Sequence, residues 1–390
     1  MKIIHINASY KPAYIYGGPA LSVSRLCEAL VRAGSDLQVF TTTANGKEEL
    51  PVEINAPQMV DGVKVTYFKR LTKDHTHFSP SLLFALRKAI DKRSLNKQTK
   101  NLILHIHVWW NLVSVFSCFL ARMQKVPVVL TPRGTLSNYS FGNRNKGFKY
   151  YIHRYLGKSL LEYCHIQVTS EHEKRGLLKL VTPKGITVIP NFVYLPELSV
   201  AANHRNQKSK VLQLLFLSRI EEKKGIDILF LALSEFTSPF QLTIAGSGEV
   251  DYIKSLKTLA DKLNISQAII WVGQLSQEEK WGIMQAHDLM VLPSHDEKCA
   301  NVVIECLATG TPVLISNLVG LADYVKHNDF GWICKVDKDS IKQELLDFTK
   351  NPEKARRVRE HAPVRIREDF NEEVLVKEFL RMYSTIANEG

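Results

Sequence analysis

Val211-Leu212-Gln213-Leu214-Leu215-Phe216-Leu217-Ser218-Arg219-Ile220-Glu221-Glu222-Lys223-Lys224-Gly225 runs from an apolar stretch into a charged loop that ends on a glycine. An apolar run of this length, followed by a turn and a helical pattern, reads as a parallel strand covered by helices on both faces. The pattern repeats downstream, with strands near 240–245, 268–272, 288–292 and 312–315 separated by helical stretches. It also repeats upstream, near 2–7, 36–41, 63–68, 102–107, 126–131 and 165–168. Between the two series, Leu195-Pro196 to Ser209 is polar and without periodicity, which marks a linker. The fold class is therefore α/β, with two doubly wound parallel-sheet domains over 1–195 and 208–370. A last segment, about 371–390, reads as a helix that follows a completed sheet and can pack back on the first domain.

A length of 390 residues suits two domains of about 200 better than one core. Apolar residues make up 45% and charged residues 23%, an ordinary globular balance. No apolar run approaches the ~18 residues that a membrane span needs, and Met1-Lys2-Ile3-Ile4-His5-Ile6-Asn7 reads as a strand without a cleavage pattern. Six cysteines, at 27, 118, 164, 299, 306 and 334, contain no Cys-x-x-Cys pair and no metal-ligand spacing. They read as reduced thiols of a cytoplasmic protein. Charge is divided unevenly. Residues 1–195 carry 27 Lys and Arg against 11 Asp and Glu, and the remainder 24 against 28. A basic first half calls for an anionic counterpart: a membrane surface, a phosphorylated acceptor or nucleic acid. A merely solvated basic surface is the competing reading. Two basic amphipathic stretches favour the inner face of a membrane. One sets Leu82, Leu86 and Ile90 against Arg87, Lys88, Lys92, Arg93, Lys97 and Lys100. The other combines Phe148, Tyr151, Ile152 and Tyr155 with Lys146, Lys149, Arg154 and Lys158.

Open parallel sheets bind ligands beyond the carboxyl ends of their strands, and the unusual residues fall there. After the first strand come Tyr16-Gly17-Gly18-Pro19 and a helix start, where exposed amides suit a phosphate. Arg219 and Lys224 stand between a strand and a helix, placed to clamp a diphosphate. Gly246-Ser247-Gly248 is a Gly-x-Gly without the third glycine of a dinucleotide fingerprint. The richest stretch is Leu292-Pro293-Ser294-His295-Asp296-Glu297-Lys298-Cys299-Ala300-Asn301-Val302-Val303-Ile304-Glu305. Carboxylates at Glu297 and Glu305 would accept from sugar hydroxyls, and helix-start amides near 299–301 suit a phosphate or a sugar oxygen. His105-Ile106-His107 is a pair that can ligate metal. Strand alternation is expected to point its members to opposite faces, His107 and Trp109 toward the cleft and His105 inward. Asp337-Lys338-Asp339 resembles a metal-binding Asp-x-Asp, but at a helix start it reads as a cap.

Taken together, these pieces resemble glycosyltransferase family 4, whose members have the GT-B fold of two Rossmann-like domains facing a cleft. The resemblance spans nearly the whole chain: Gly17-Gly18, His105-Ile106-His107, Thr169-Ser170-Glu171, Ile189-Pro190-Asn191, Arg219 with Lys224-Gly225, Gly246-x-Gly248, and Glu297-x7-Glu305 before Gly310-Thr311-Pro312-Val313. It implies a retaining, metal-independent enzyme that takes a sugar from a GDP- or UDP-linked donor to a glycan or lipid-linked acceptor, with no cofactor and no nucleic acid. By that resemblance Arg219 and Lys224 bind the diphosphate, Glu297 the transferred sugar, and the backbone of Cys299, Ala300 and Asn301 supports sugar and phosphate. Glu305 would bind the ribose, Gly273 would flank the base, and Gly17 and Gly18 would approach the diphosphate from the first domain. The chain departs from the family at Cys299 and Ala300, where an aromatic residue and a glycine are usual. It departs again at Thr131-Pro132-Arg133-Gly134, where Arg133 stands in place of a histidine found in many members, as in some relatives that build surface polysaccharides. Arg133 is expected in the reaction centre, and its loss is expected to reduce activity with little change in melting temperature. A nucleotide-sugar epimerase or hydrolase and an inert binding protein of the same fold are the rival readings.

Overall fold

The computed structural model describes residues 1–16, 18–91, 101–136, 157–195, 211–298 and 300–389. The chain divides into two compact units, one of Met1–Phe192 with Glu372–Gly390 and one of Val193–Asn371. The first holds β1 (Lys2–Asn7), β2 (Asp36–Thr42), β3 (Ala44–Asn45), β4 (Glu48–Glu49), β5 (Pro57–Val60), β6 (Val63–Phe68), β7 (Leu102–His107), β8 (Val128–Thr131), β9 (His165–Val168) and β10 (Gly185–Val188). Its helices are α1 (Gly18–Arg32), α2 (Pro80–Ala89), α3 (Leu112–Met123), α4 (Lys158–Tyr163) and α5 (Glu171–Leu178). The sheet order is β10-β9-β8-β7-β1-β2-β6-β5, parallel except for β5, with β3 and β4 in a separate hairpin. Order reverses between β1 and β7, so this sheet has its switch point there.

The second unit holds β11 (Leu212–Leu217), α6 (Ile226–Ser234), β12 (Phe240–Ala245), α7 (Val250–Lys262), β13 (Ile269–Gly273), α8 (Gln277–Ala286), β14 (Leu289–Leu292) and α9 (Asn301–Ala308). It continues with β15 (Val313–Ser316), α10 (Ala322–His327), β16 (Gly331–Cys334), α11 (Lys338–Lys350) and α12 (Pro352–Asp369). The order β13-β12-β11-β14-β15-β16 is all parallel, with its switch point between β11 and β14.

Alternate residues of each strand feed different helical layers. In the first sheet Ile4, Ile6, Leu104, Ile106 and Leu130 pack toward α2 and α3. On the other side Ile3, Ile103 and Val129 pack with α1 and the last helix, α13 (Glu372–Asn388). Leu375, Val376, Phe379, Met382, Tyr383 and Ile386 of α13 are buried there, so the chain's last helix completes the first unit's core. Helix α2 corrects the amphipathic reading of 82–100. Leu82, Leu86 and Ile90 are fully buried in this core and do not form a membrane face. The rest of that stretch from 92 on, residues 146–156 of the second stretch, and the linker from 196 on lie outside the described residues.

Candidate functional site

The expected donor residues of the second unit lie at the carboxyl edge of its sheet. Arg219 follows β11, Gly246 follows β12, Gly273 ends β13, and Glu297 follows β14. What draws them together is close packing of the loops. Gly225 has φ +69°, and a Cβ there would sit 2.4 Å from the carbonyl oxygen of Pro293. The bare glycine lets the loop after β14 lie on the loop after β11, and the His295 amide donates to the Lys223 carbonyl at 2.8 Å. Lys224, on the last turn before Gly225, is thereby brought onto Glu297 as an ion pair. Gly246 does a related job. With φ +145° it approaches the Ser218 carbonyl, which a Cβ would meet at 1.9 Å. The first glycine of Gly-x-Gly is thus required by the neighbouring loop before any ligand is considered.

The charges of this edge are matched in pairs. Arg219, two-thirds exposed at its side chain, pairs with Glu221, and Lys224 is buried against Glu297. Lys280 from α8 pairs with Glu305 from α9 at 2.5 Å, and Lys298 with Asp296 at 2.5 Å. Glu297 is fixed by its backbone, whose carbonyl accepts from Gly320 at 2.7 Å. Helix α9 is preceded by Ala300, which gives no side-chain cap, and the Val303 amide of its first turn donates to the Ala300 carbonyl at 2.8 Å. Ala300 has φ −74°, an ordinary angle, which is why alanine stands in the place of the family's glycine without strain. Cys299 lies outside the described residues.

In the first unit Gly17 lies outside the described residues and Gly18 opens α1. Arg133 follows β8 with φ +48° and precedes Gly134 at φ +80°, two successive left-handed residues. Its guanidinium donates to Ser22 Oγ of α1 at 2.7 Å and to Asn191 Oδ1 at 3.0 Å. Val108, after β7, also has positive φ, +66°, a real strain for a β-branched residue. Both strained residues sit at the sheet's carboxyl edge, where such strain tends to gather around function. Asp337 caps α11 by accepting from the Ser340 amide at 2.7 Å.

The histidines correct the sequence reading. Residues two apart on a strand share a face, and His105 and His107 lie with ring centroids 4.1 Å apart. His5 joins them, because β1 and β7 pair with His5 opposite His105. All three are fully buried, as is Trp109, so neither His107 nor Trp109 lines an open surface. The third histidine was legible in principle, from placing the first and fourth long strands side by side. Burial, aided by the Arg133 charge, lowers all three pKa values, that of His5 to about 3, so the rings are neutral.

Their bonding follows from the partners. Gln167 spends its amide on two carbonyls, so its oxygen accepts from the Thr131 hydroxyl at 2.6 Å. Thr131 then accepts from His105 Nε2–H at 2.7 Å, and His105 Nδ1 accepts from the Tyr383 hydroxyl at 2.6 Å. Among the described residues these three histidines alone bring enough ligand atoms together, within 4.8 Å, for a metal ion. Yet both nitrogens of His105 are engaged, His5 Nδ1 bonds His107 Nε2 at 2.9 Å, and the adjacent guanidinium opposes a cation. The cluster is built as a buried hydrogen-bonded strut between β7, β8, β9 and α13.

Comparison with known proteins agrees with this geometry. A family model described as "Glycosyl transferases group 1" matches residues 201–365, and one described as "Glycosyltransferase Family 4" matches residues 16–195. The chain is 27% identical to an uncharacterized glycosyltransferase of Methanocaldococcus jannaschii, over 87% of each. It is 26% identical to a glycogen synthase of Mycobacterium tuberculosis, over 98% of this chain and 94% of that one. Among solved structures it resembles Anabaena HepE in complex with UDP-glucose, with TM-score 0.72, 16% identity and coverage of 99% and 100%.

Proposed function

Because the chain belongs to glycosyltransferase family 4, we propose that it transfers a hexose-type sugar, with retained anomeric configuration, from a nucleoside diphosphate donor to a glycan or lipid-linked glycan. The observation behind this reading is the gathering of Arg219, Lys224, Glu297 and Glu305 around one sheet's switch point. In the reaction the bond from the anomeric carbon to the diphosphate oxygen breaks. A bond to the acceptor oxygen forms on the same face, and the acceptor proton passes to the departing diphosphate. Arg219, Lys224 and the first amides of α9 meet the charge that develops on the leaving group, a role otherwise filled by a metal ion. Glu297 holds hydroxyls of the moving sugar and Glu305 the ribose. Lys224 pairs with Glu297 and Arg219 with Glu221, so donor binding exchanges these internal pairs for ligand contacts. In the first unit the start of α1, Arg133 and Asn191 serve the diphosphate or the acceptor.

The complex of HepE with UDP-glucose makes uridine donors the first to test. UDP- and GDP-sugars should be screened for thermal protection, since a ligand at 100 times its dissociation constant adds ~2.7 kcal/mol. Turnover of the protecting donor with glycan acceptors should survive EDTA and give a product of the donor's anomeric configuration. Inversion, or activity abolished by EDTA and restored by Mn²⁺, would overturn the mechanism. An altered free donor without transfer would mark an epimerase or hydrolase, and protection without any turnover an inert binder.

A membrane-linked acceptor fits the basic first unit. Helices α2 and α3 pack on each other and expose Phe84, Phe119 and Met123 together with Arg87, Lys88 and Arg122. This surface takes the place of the buried stripe as the basis for association with anionic lipid at the inner face of a cytoplasmic membrane.

A further inference from the structure

We propose that Lys280 is a positioning residue for nucleotide recognition, acting through Glu305 on the ribose hydroxyls. This rests on the reading of Glu305 as the ribose carboxylate. Lys280 Nζ lies 2.5 Å from Glu305 Oε2, with side-chain exposures of 22% and 10%. Exposed surface pairs contribute little, but this one is mostly withdrawn from water. A carboxylate so buried is costly to keep ionised without a counter-charge.

The pair spans two elements with different duties. Lys280 sits one turn into α8, whose start is fixed after β13 by a reciprocal cap in which Ser276 accepts from the Glu279 amide and Glu279 from the Ser276 amide. Glu305 sits one turn into α9, which follows β14. Lys280 thus ties the helix beyond Gly273, the position assigned beside the base, to the helix that carries the ribose ligand. A carboxylate has about four acceptor positions. The ammonium stands against Oε2 as a counter-charge without hydrogen-bond geometry, which biases the orientation of the group and leaves its acceptor positions to a vicinal diol. Lys280 needs no contact with the nucleotide to matter. Its loss lets the carboxylate turn, and the hydroxyl contacts weaken while the diphosphate contacts remain.

The test is calorimetric titration of the full chain with UDP, GDP and their 2′,3′-dideoxy counterparts. For the tighter-binding base, Lys280→Met should weaken binding of the ribonucleotide about tenfold and leave the dideoxy nucleotide nearly unchanged. Lys280→Arg should restore most of the difference. Equal weakening of both nucleotides would mean that Lys280 serves the phosphate or the fold, and unchanged binding of both would make the ion pair incidental. Either result overturns the proposal. Glu305→Gln separates it from the reading beneath: if that variant keeps the wild-type ratio of ribo to dideoxy affinity, Glu305 is not the ribose ligand and the assignment itself falls.

Discussion

At the scale of single residues, the two glutamates, one read on the transferred sugar and the other on the ribose, are placed in different company. Glu297 neutralises the buried Lys224, and Glu305 is held by Lys280. Glu297→Gln should therefore lower kcat about a hundredfold, the cost of ~2.7 kcal/mol lost in the transition state. Affinity for nucleoside diphosphate should hold or rise, because Lys224 is freed for the phosphates. Glu305→Gln should weaken that affinity with a smaller effect on kcat. Equal changes in diphosphate affinity, measured by titration, would contradict the division. Arg133 has acquired a second duty. Its bonds to Ser22 and Asn191 join α1, the turn after β8 and the segment after β10. Its removal should thus cost stability as well as activity, against the expectation from sequence. A charged hydrogen bond is worth about 1.5–3 kcal/mol, so Arg133→Ala should melt several degrees lower and lose most turnover, and Arg133→Lys should recover part of each. Near-normal turnover in folded Arg133→Ala would remove the residue from the site.

At the scale of elements, the glycines show how loops are made to meet. Gly225→Ala imposes a left-handed angle on alanine, at roughly 1–2 kcal/mol, and drives its Cβ against the Pro293 carbonyl, adding about 1–3 kcal/mol of overpacking. Thermal melting should show a loss of about 2–5 kcal/mol and, since Lys224 is adjacent, weaker donor protection. Gly282→Ala is the control. It lies inside α8 with open space at its Cβ, and it should be neutral or stabilising by up to ~1 kcal/mol. A Gly225→Ala protein as stable as the control would show that the loops do not depend on this contact. Strands with continuous apolar runs were legible within a residue or two, since burial on both faces leaves a strong mark. The edge strands β5, β10 and β16 leave no such mark. They are only four residues long, and every residue of β10 is only partly buried.

For the molecule as a whole, the buried histidines couple stability to pH. His5, His77, His105 and His107 all have pKa values lowered chiefly by burial, to about 3 for His5 and about 4 for His77. Unfolded, each binds a proton near pH 6.5. The stability they contribute is full above that pH and is lost as pH falls toward the folded values. Each can remove up to about 1.4 kcal/mol per pH unit. The melting transition of the first unit should drop markedly between pH 7 and 5.5. A melting temperature flat over that range would mean that the rings are accessible to protons in the folded state. The proposed membrane association is tested at the same scale. Anionic vesicles at low salt should float the protein and high salt should release it, each surface cation adding ~1 kcal/mol. Failure to float at low salt would reject the association.

The sequence by itself determined the two doubly wound sheets, most of their strands, and the placing of Arg219, Lys224, Glu297 and Arg133 just beyond strand ends. These follow from local rules: apolar runs must be covered, and chain reversals need glycine, proline and charge. It could not determine which charge meets which. Lys280 and Glu305 are 25 positions apart on different helices, and Lys224 and Glu297 belong to loops joined through a glycine contact. It equally could not show that Arg133 stands close enough to the three histidines to help lower their pKa values, or that Tyr383 of the last helix bonds His105. The reason is physical. Secondary structure answers to neighbours along the chain, whereas ion pairs and buried hydrogen bonds answer to strand order and register, which only the packed sheet fixes.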